Sequence, residues 1–417
     1  MTKTRSSDVS GGVQTALTDT RQKCWQHRIC PPQDTLEKIT PYLPRMGITR
    51  LADITGLDRI GIPVAQAIRP LGRSLSVAQG KGMTLPAARV SAAMEAAEGW
   101  HAENLDGPFQ QISGLDLMEA TDLESLPMSD PPVWDQELTI LEGRDIIADR
   151  VVALPIDLIG KDYTQAPQHK GFHRTTNGLA SGNSLTEAIV SGLHELIERD
   201  CIADFAHMTP QDRAARLCHP HMLDACTGDA KTLLDLIASA GFHVFIHDLT
   251  NDIGVPAMRA TLFSVDQSVP GHGRPRAQPG LGCGCHLDPQ TALVRAITEA
   301  AQSRLTCIAG ARDDLTDRRY DTIADGNLGR LLEMAADLQT ADKTRCFDAC
   351  AAGTSPMGDL DILTRKLTAA GLEKIYVVDL SKADLPIHVV RVFVPGLGYL
   401  TSKGPTRGNR YRSADHE

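Results

Sequence analysis

The segment from Asn177 to Asp200, NGLASGNSLTEAIVSGLHELIERD, constrains the fold more than any other part of the chain. Its run from Leu185 predicts a helix, on which Glu187, Ser191, Glu195 and Glu198 fall within an arc of roughly 80° at about 100° per residue. The positions between them are mostly apolar (Ala188, Ile189, Val190, Leu193, Leu196 and Ile197), and the segment contains no lysine. A helix this apolar has to be covered over most of its surface, which carries its carboxylates inward, where they need a neutralising partner. A hard divalent cation such as Mg²⁺, which takes oxygen ligands and often holds a phosphate as well, meets that need.

Two further helices repeat the spacing. SAAMEAAE places Ser91, Glu95 and Glu98 as Ser191, Glu195 and Glu198 are placed, and DPQTALVRAITEAAQSRL puts Arg295, Glu299 and Gln302 on one face. If these faces converge, four carboxylates joined by Glu187 and Glu299 would hold more than one Mg²⁺ ion against the phosphates of a nucleotide. Arg199 and Arg295 would then contact phosphate oxygens, which a planar guanidinium suits. The competing reading is a solvated face on each helix, with Glu195 and Arg199 as an ordinary i,i+4 salt pair.

Composition excludes several classes. With 52 acidic against 42 basic side chains and no dense Lys/Arg run, neither nucleic acid nor an anionic membrane is expected as a partner. No apolar run of about 18 residues and no signal peptide is recognisable, so the expectation is a cytoplasmic protein. The ten cysteines are scattered and expected to be reduced. Cys283 with Cys285, Cys346 with Cys350, and the nearby His219 and His221 invite a zinc reading but lack zinc-ligand spacing; most of the cysteines are expected to be small core residues, and nothing marks one thiol as a nucleophile. GxxxxGK[ST], a strand-GxGxxG-helix unit and GxSxG are all missing, and Gly80-Lys81-Gly82 reads as a tight turn.

Along the chain, residues 1–22 read as a mobile tail, 23–400 as one catalytic unit and 401–417 as a polar tail. ITRLADITGLDRIGIPVAQAIRP reads as two strands joined by a turn, and an alanine-rich helix follows Leu85-Pro86. VVALPIDLI at 151–159 reads as a buried strand, and residues 105–133 show little regularity. Later come FHVFIHDL, PAMRATLFSV, IYVVDLS and IHVVRVFVPG as strands. Helices are expected near 230–240, 328–341 and 357–370, and one opens at Asp288. The irregular alternation points to an α+β or mixed α/β fold, with antiparallel sheets carrying helices on one face.

On SAAMEAAE, the long segment at 177–200 and GCGCHLDPQTALVRAITEAAQSRL, the chain resembles the YcaO family from about Arg28 to Gly398. That resemblance implies a YcaO-type fold and a glutamate-lined site for ATP and Mg²⁺. It implies that Glu95, Glu98, Glu187, Glu195, Glu198 and Glu299 hold metal and phosphates, and that Asn183, Arg199 and Arg295 contact ATP. Ser191 and Gln302 share those faces and are assigned to the nucleotide with them; Glu198, Arg199 and Glu299 are expected to carry catalysis. A basic residue and a hydroxyl seven apart near the N-terminus meet the nucleotide in the family, a spacing that Arg28 and Thr35 have. Some members carry a serine where this chain has Ala180.

Members of the family use ATP to activate a peptide backbone amide. Azoline-forming members commonly end in Pro-x-Pro-x-Pro, whereas this chain ends GPTRGNRYRSADHE. ITRLADITGLDRIGIPV and GCGCHLDP look most like the subgroup encoded beside TfuA proteins and associated with thioamidation. The expectation is therefore a thioamide made with external sulfide on a ribosomally made peptide or protein. A TfuA-type partner, a sulfide donor and a homodimer go with it. An azoline-forming cyclodehydratase and a non-catalytic nucleotide-binding scaffold are the alternatives.

Overall fold

The computed structural model describes residues 19–121, 126, 136–169, 171–218, 223, 226–263, 279–312, 352–401 and 404–406. The expected helix at 328–341, the histidines at 219 and 221, the cysteines at 346 and 350, and most of both tails lie outside the described residues. Among the described residues the main helices are α1 (Pro32–Ile39), α2 (Leu85–Glu103), α3 (Leu185–His207), α4 (Gly228–Ser239), α5 (Pro289–Ala309) and α6 (Pro356–Ala369). The first six strands are β1 (Arg50–Asp53), β2 (Val64–Ile68), β3 (Val77–Lys81), β4 (Gln110–Ser113), β5 (Glu137–Asp145) and β6 (Arg150–Pro155). They are followed by β7 (Leu179–Gly182), β8 (His243–Asp248), β9 (Ala257–Phe263), β10 (Gly280–Cys285), β11 (Tyr376–Asp379) and β12 (His388–Phe393).

The chain forms two compact units. The first comprises Met1–Ile39, Ala97–Asp200 and Gly353–Glu417, and the second Thr40–Ala96 and Cys201–Ala352. Unit 1 is built on an antiparallel sheet in the order β4-β5-β11-β12-β7, with β6 paired to β5. Its centre follows from sequence: Tyr376, Val377 and Val378 on β11 and Val389, Val390 and Val392 on β12 are all buried, and β-branched residues suit such a surface. Unit 2 holds two three-stranded antiparallel sheets, β1-β2-β3 and β10-β9-β8. Helix α5 lies on β10 and β9, with Ala292, Leu293, Ala296, Ile297 and Ala300 in a core shared with Met258, Ala260 and Leu262. The fold is thus α+β with antiparallel sheets, as the pattern of elements predicts. No helix among the described residues is long and apolar enough to cross a membrane.

Two local expectations are corrected. The strand expected through Ile159 ends at Pro155, and Ile156–Ile159 is a helical turn. Gly80 and Lys81 lie in β3, not in a turn. A Cβ on Gly80 would come closer than 3.0 Å to backbone atoms of Ala88 and Ala92, and one on Gly282 would do so at Ala296 and Ala300. Glycine is there so that helix backbone can lie directly against strand backbone.

The three carboxylate-bearing helices share one construction. Each begins at a side-chain cap that accepts a backbone N–H three residues on: Thr84 from Ala87 (3.3 Å), Ser184 from Glu187 (3.1 Å) and Asp288 from Thr291 (2.9 Å). Seven, eleven and fourteen residues beyond its cap, each presents Ser91, Glu95 and Glu98, or Ser191, Glu195 and Glu198, or Arg295, Glu299 and Gln302. Those offsets span an arc of roughly 60° on a helix, so each cap fixes which face carries the polar triplet.

Candidate functional site

In unit 1 the site is organised around Glu187, in the first turn of α3 and only 3% exposed. Its Oε1 accepts hydrogen bonds from Arg28 Nη1 (2.9 Å) and from the backbone and side-chain nitrogens of Asn183 (3.3 Å each). Its Oε2 accepts from the Ile29 N–H at 3.1 Å. Arg28 also donates to Ser191 Oγ (3.1 Å), which itself donates to the Glu187 carbonyl (2.9 Å), and Thr35 Oγ1 donates to Asn183 Oδ1 (3.0 Å). The basic residue and the hydroxyl seven apart thus land on two expected site residues. Burial pushes the Glu187 carboxyl upward, but Arg28 and the Ile29 and Asn183 N–H groups outweigh it and hold the group below its ordinary value.

Further along the stripe, Glu198 is buried, and Arg199 pairs with Glu195 at 3.5 Å across one helical turn. On α2, Glu98 Oε1 accepts a 2.6 Å hydrogen bond from Ser181 at the end of β7. Ser181, beside Ala180, therefore supplies a hydroxyl at this strand end.

In unit 2, Glu299 forms an ion pair with Lys81 and accepts the Cys283 backbone N–H at 3.2 Å. Cys283 thus reaches the carboxylate through its backbone. Gln302 donates to the Gln79 carbonyl at 3.5 Å, Arg295 Nε is buried without a hydrogen-bond partner among the described residues, and Glu95 is exposed. Lys81 is the residue that sequence reasoning missed, because glycines on both sides made it look like a turn.

Among the described residues no three His, Cys, Asp or Glu side chains stand together as a metal-holding group. The carboxylates are instead met by protein cations and donors: Glu187 by Arg28, Glu195 by Arg199, Glu299 by Lys81, and Glu98 by Ser181. The donors are carboxylate, hydroxyl and amide oxygens with guanidinium and ammonium groups between them, a set that fits a hard cation and phosphate.

Arg28→Gln should test the central pair. It leaves a buried carboxylate short of its counter-charge and should cost about 1–3 kcal/mol, the range for a buried group short of a partner and below that for a fully buried pair, because Arg28 is itself partly exposed. Since the pair holds the Glu187 carboxyl low, its contribution is complete above the ordinary carboxylate value and is lost as pH falls through the lowered one. Thermal unfolding of both proteins should therefore differ at pH 7 and converge in acid.

Comparison with known proteins agrees with this chemistry. Residues 79–398 match the family model described as YcaO cyclodehydratase, ATP- and Mg²⁺-binding. An uncharacterized protein in the tfuA 3′ region of Rhizobium leguminosarum bv. trifolii is 37% identical over 383 residues, covering 89% of each chain. An uncharacterized protein of Methanothermobacter thermautotrophicus is 36% identical over 392 residues, covering 92% of this chain and 98% of its own. Among solved structures, YcaO from Methanopyrus kandleri bound with AMPPCP and Mg²⁺ superposes with a TM-score of 0.67 at 24% identity, over 91% of this chain and 95% of that one. A heterocyclase in complex with substrate and cofactor gives 0.73 at 22% identity over 92% of this chain, which spans only 54% of the heterocyclase. With a family match over most of its length, the chain belongs to the YcaO family, whose members are ATP-dependent and bind Mg²⁺.

Proposed function

We propose that this chain activates a peptide backbone amide with ATP and, with external sulfide, converts it to a thioamide. The observation that carries the branch is the 37%-identical relative from a tfuA region, which makes a TfuA-type protein the proposed partner and a ribosomally made peptide or protein the proposed substrate. An amide carbonyl is a weak electrophile with a poor leaving oxygen. Sulfide adds to the carbonyl carbon, the oxyanion takes the γ-phosphoryl group, and phosphate then leaves with the original oxygen as C=S forms. Bound Mg²⁺ would neutralise charge on the transferring phosphoryl group.

The proposed metal-holding residues of unit 1 are Glu98, Glu187, Glu195 and Glu198, with Asn183, Ser191, Arg199 and Arg28 positioned for the nucleotide. The same classes of role are proposed for Glu95, Glu299, Arg295 and Gln302 of unit 2, with Lys81 as the cation that orients Glu299. Arg28 holds the Glu187 carboxylate ionised and in place, and Lys81 holds Glu299 in place, until a more highly charged ligand takes each over.

The test incubates the protein with Mg²⁺-ATP, sulfide and a candidate precursor peptide, with and without the TfuA-type partner. A gain of about 16 Da per modified amide is the mass arithmetic of exchanging oxygen for sulfur, and is the expected result. A loss of about 18 Da would assign azoline formation instead, the reading favoured by the heterocyclase-like fold. ATP bound without change in any peptide would make the chain a nucleotide-binding scaffold.

A further inference from the structure

Residues 22–26 of unit 1 are exposed at every position but one. The exception is Lys23, whose side chain is only 7% exposed and meets Asp359 in the first turn of α6. Its Nζ pairs with Asp359 Oδ2 (2.5 Å) and donates to the Gly353 carbonyl (2.8 Å), and its backbone N–H donates to the Thr354 carbonyl (2.9 Å). Asp359 is itself 1% exposed, and its Oδ1 accepts the Gly353 N–H at 2.8 Å. One lysine thus fastens an otherwise exposed segment to the start of α6 through both its side chain and its backbone.

A tight hairpin leads from this foothold to a second one. The Arg28 N–H donates to the Trp25 carbonyl (2.8 Å), and the N–H groups of Trp25 (3.1 Å) and Cys24 (3.0 Å) share the Arg28 carbonyl. Gln26, in the turn between them, has φ 48°, a left-handed backbone that a residue with a Cβ adopts where its surroundings impose it. Beyond the turn, Arg28 Nη1 and the Ile29 N–H meet the two oxygens of Glu187 at 2.9 and 3.1 Å. A hairpin this short and cross-bonded moves as a piece, so freeing Lys23 loosens both donors on Glu187 together.

Stability is not what the Lys23–Asp359 pair contributes. Burial lifts the Asp359 carboxyl above its ordinary value, although Lys23 and the Gly353 N–H oppose the shift. A carboxyl raised on folding opposes folding once ionised, so at neutral pH this group works against the folded state. Its contribution is location. A buried ammonium without its carboxylate would be costlier still, which leaves Lys23 one place to go and fixes the register of the hairpin.

We infer that Lys23 is a positioning residue of the nucleotide site: clamped on Asp359 and Gly353, it sets the hairpin that delivers Arg28 and the Ile29 N–H to Glu187. Its effect on nucleotide rests on the roles proposed above for Arg28 and Glu187, whereas the clamp itself does not.

Full-length Lys23→Met, Arg28→Gln and the double variant test both parts. Without nucleotide, amide hydrogen exchange over residues 24–29 should be at least about 10-fold faster in Lys23→Met, with exchange in the middle of α3 unchanged. In calorimetric titration with Mg²⁺-ATP, Lys23→Met should bind about 10-fold more weakly, the value of a charge-assisted hydrogen bond. In the Arg28→Gln background the same substitution should add less than about 2-fold, because a residue acting through Arg28 has little left to act on. Asp359→Asn, which removes the charge and keeps an acceptor for the Gly353 N–H, supplies the same comparison if Lys23→Met does not fold. Equal losses of affinity in both backgrounds would overturn the positioning role, as would native exchange over residues 24–29. Fast exchange there with full Mg²⁺-ATP affinity in Arg28→Gln would support the clamp and overturn its link to nucleotide, so the two parts fail separately.

Discussion

Glu198→Gln is expected to abolish ATP-dependent turnover and to lower Mg²⁺-ATP affinity by about 100-fold or more while the fold persists. Outer-sphere partners of a metal typically cost 10- to 100-fold when lost, and a direct carboxylate ligand should cost at least the upper end of that range. Glu198 is 5% exposed and flanked by the fully buried Ile197 and the buried Leu196. It closes the same face of α3 as Glu187, Ser191 and Glu195. Glutamine keeps its size and hydrogen-bonding reach and removes only the charge. The glutamine amide can still hydrogen-bond at this position, so the fold should persist and thermal unfolding without nucleotide reports what the loss of charge alone costs. Calorimetric titration with Mg²⁺-ATP, paired with thermal unfolding, separates the two effects. Full affinity in a folded variant would remove Glu198 from the metal-holding set.

The helix that carries Glu198 was the most legible part of the molecule, and the reason is local. Ser184, Thr84 and Asp288 are side-chain caps followed by long apolar-rich runs, so the starts of α3, α2 and α5 and the faces of their polar triplets are written within about twenty residues of sequence each. Strands β11 and β12 were legible because valines dominate them, Val377 and Val378 on β11 and Val389, Val390 and Val392 on β12. What escaped was tertiary. Glycine beside Lys81 carries two meanings, a turn or a close backbone approach, and only the packing of α2 on β3 decides between them. Strands β4 and β5 bracket an acidic, proline-bearing stretch, and β4 is half exposed, which erases the alternation that betrays a strand. The division into two units had no signature at all. The chain crosses between them four times, and two of the crossings, between residues 96 and 97 and between 200 and 201, fall inside α2 and α3, where no linker composition can mark them.

The candidate site divides along the same line. The stripe on α3 is a matter of periodicity, and could be read from spacing. Arg28 and Thr35 lie about 150 residues away in sequence from Glu187 and Asn183, and seven residues between a base and a hydroxyl recur by chance in any chain. Their hydrogen bonds to Glu187 and Asn183 supply what spacing lacked, a physical reason for that pair. Arg391 is the extreme case. A single arginine in the apolar run IHVVRVF looks like an interruption of β12, yet Arg391 is 1% exposed and donates to the carbonyls of Thr175 and Leu158.

Gly80→Val is expected to destabilise unit 2 by about 3 kcal/mol or more, the upper range for overpacking, because the obstruction is backbone and cannot rotate away. Even the Cβ alone would fall closer than 3.0 Å to the Ala92 nitrogen and the Ala88 carbonyl, so β3 and α2 have to part. For a unit of this size that corresponds to a fall in melting temperature of about 6 °C or more. Gly56→Ala is the matched control, since a Cβ there meets nothing within 4 Å, and it should stay within about 0.5 kcal/mol. The separation has a chemical consequence as well as a structural one. Strand β3 ends in Lys81, which pairs with Glu299, so a displaced strand leaves that carboxylate without its cation. Affinity for Mg²⁺-ATP should therefore fall in Gly80→Val even at temperatures where the protein remains folded, and remain normal in Gly56→Ala. A variant that melts early yet binds nucleotide normally would show that the glycine serves packing alone and that Lys81 has no part in the site.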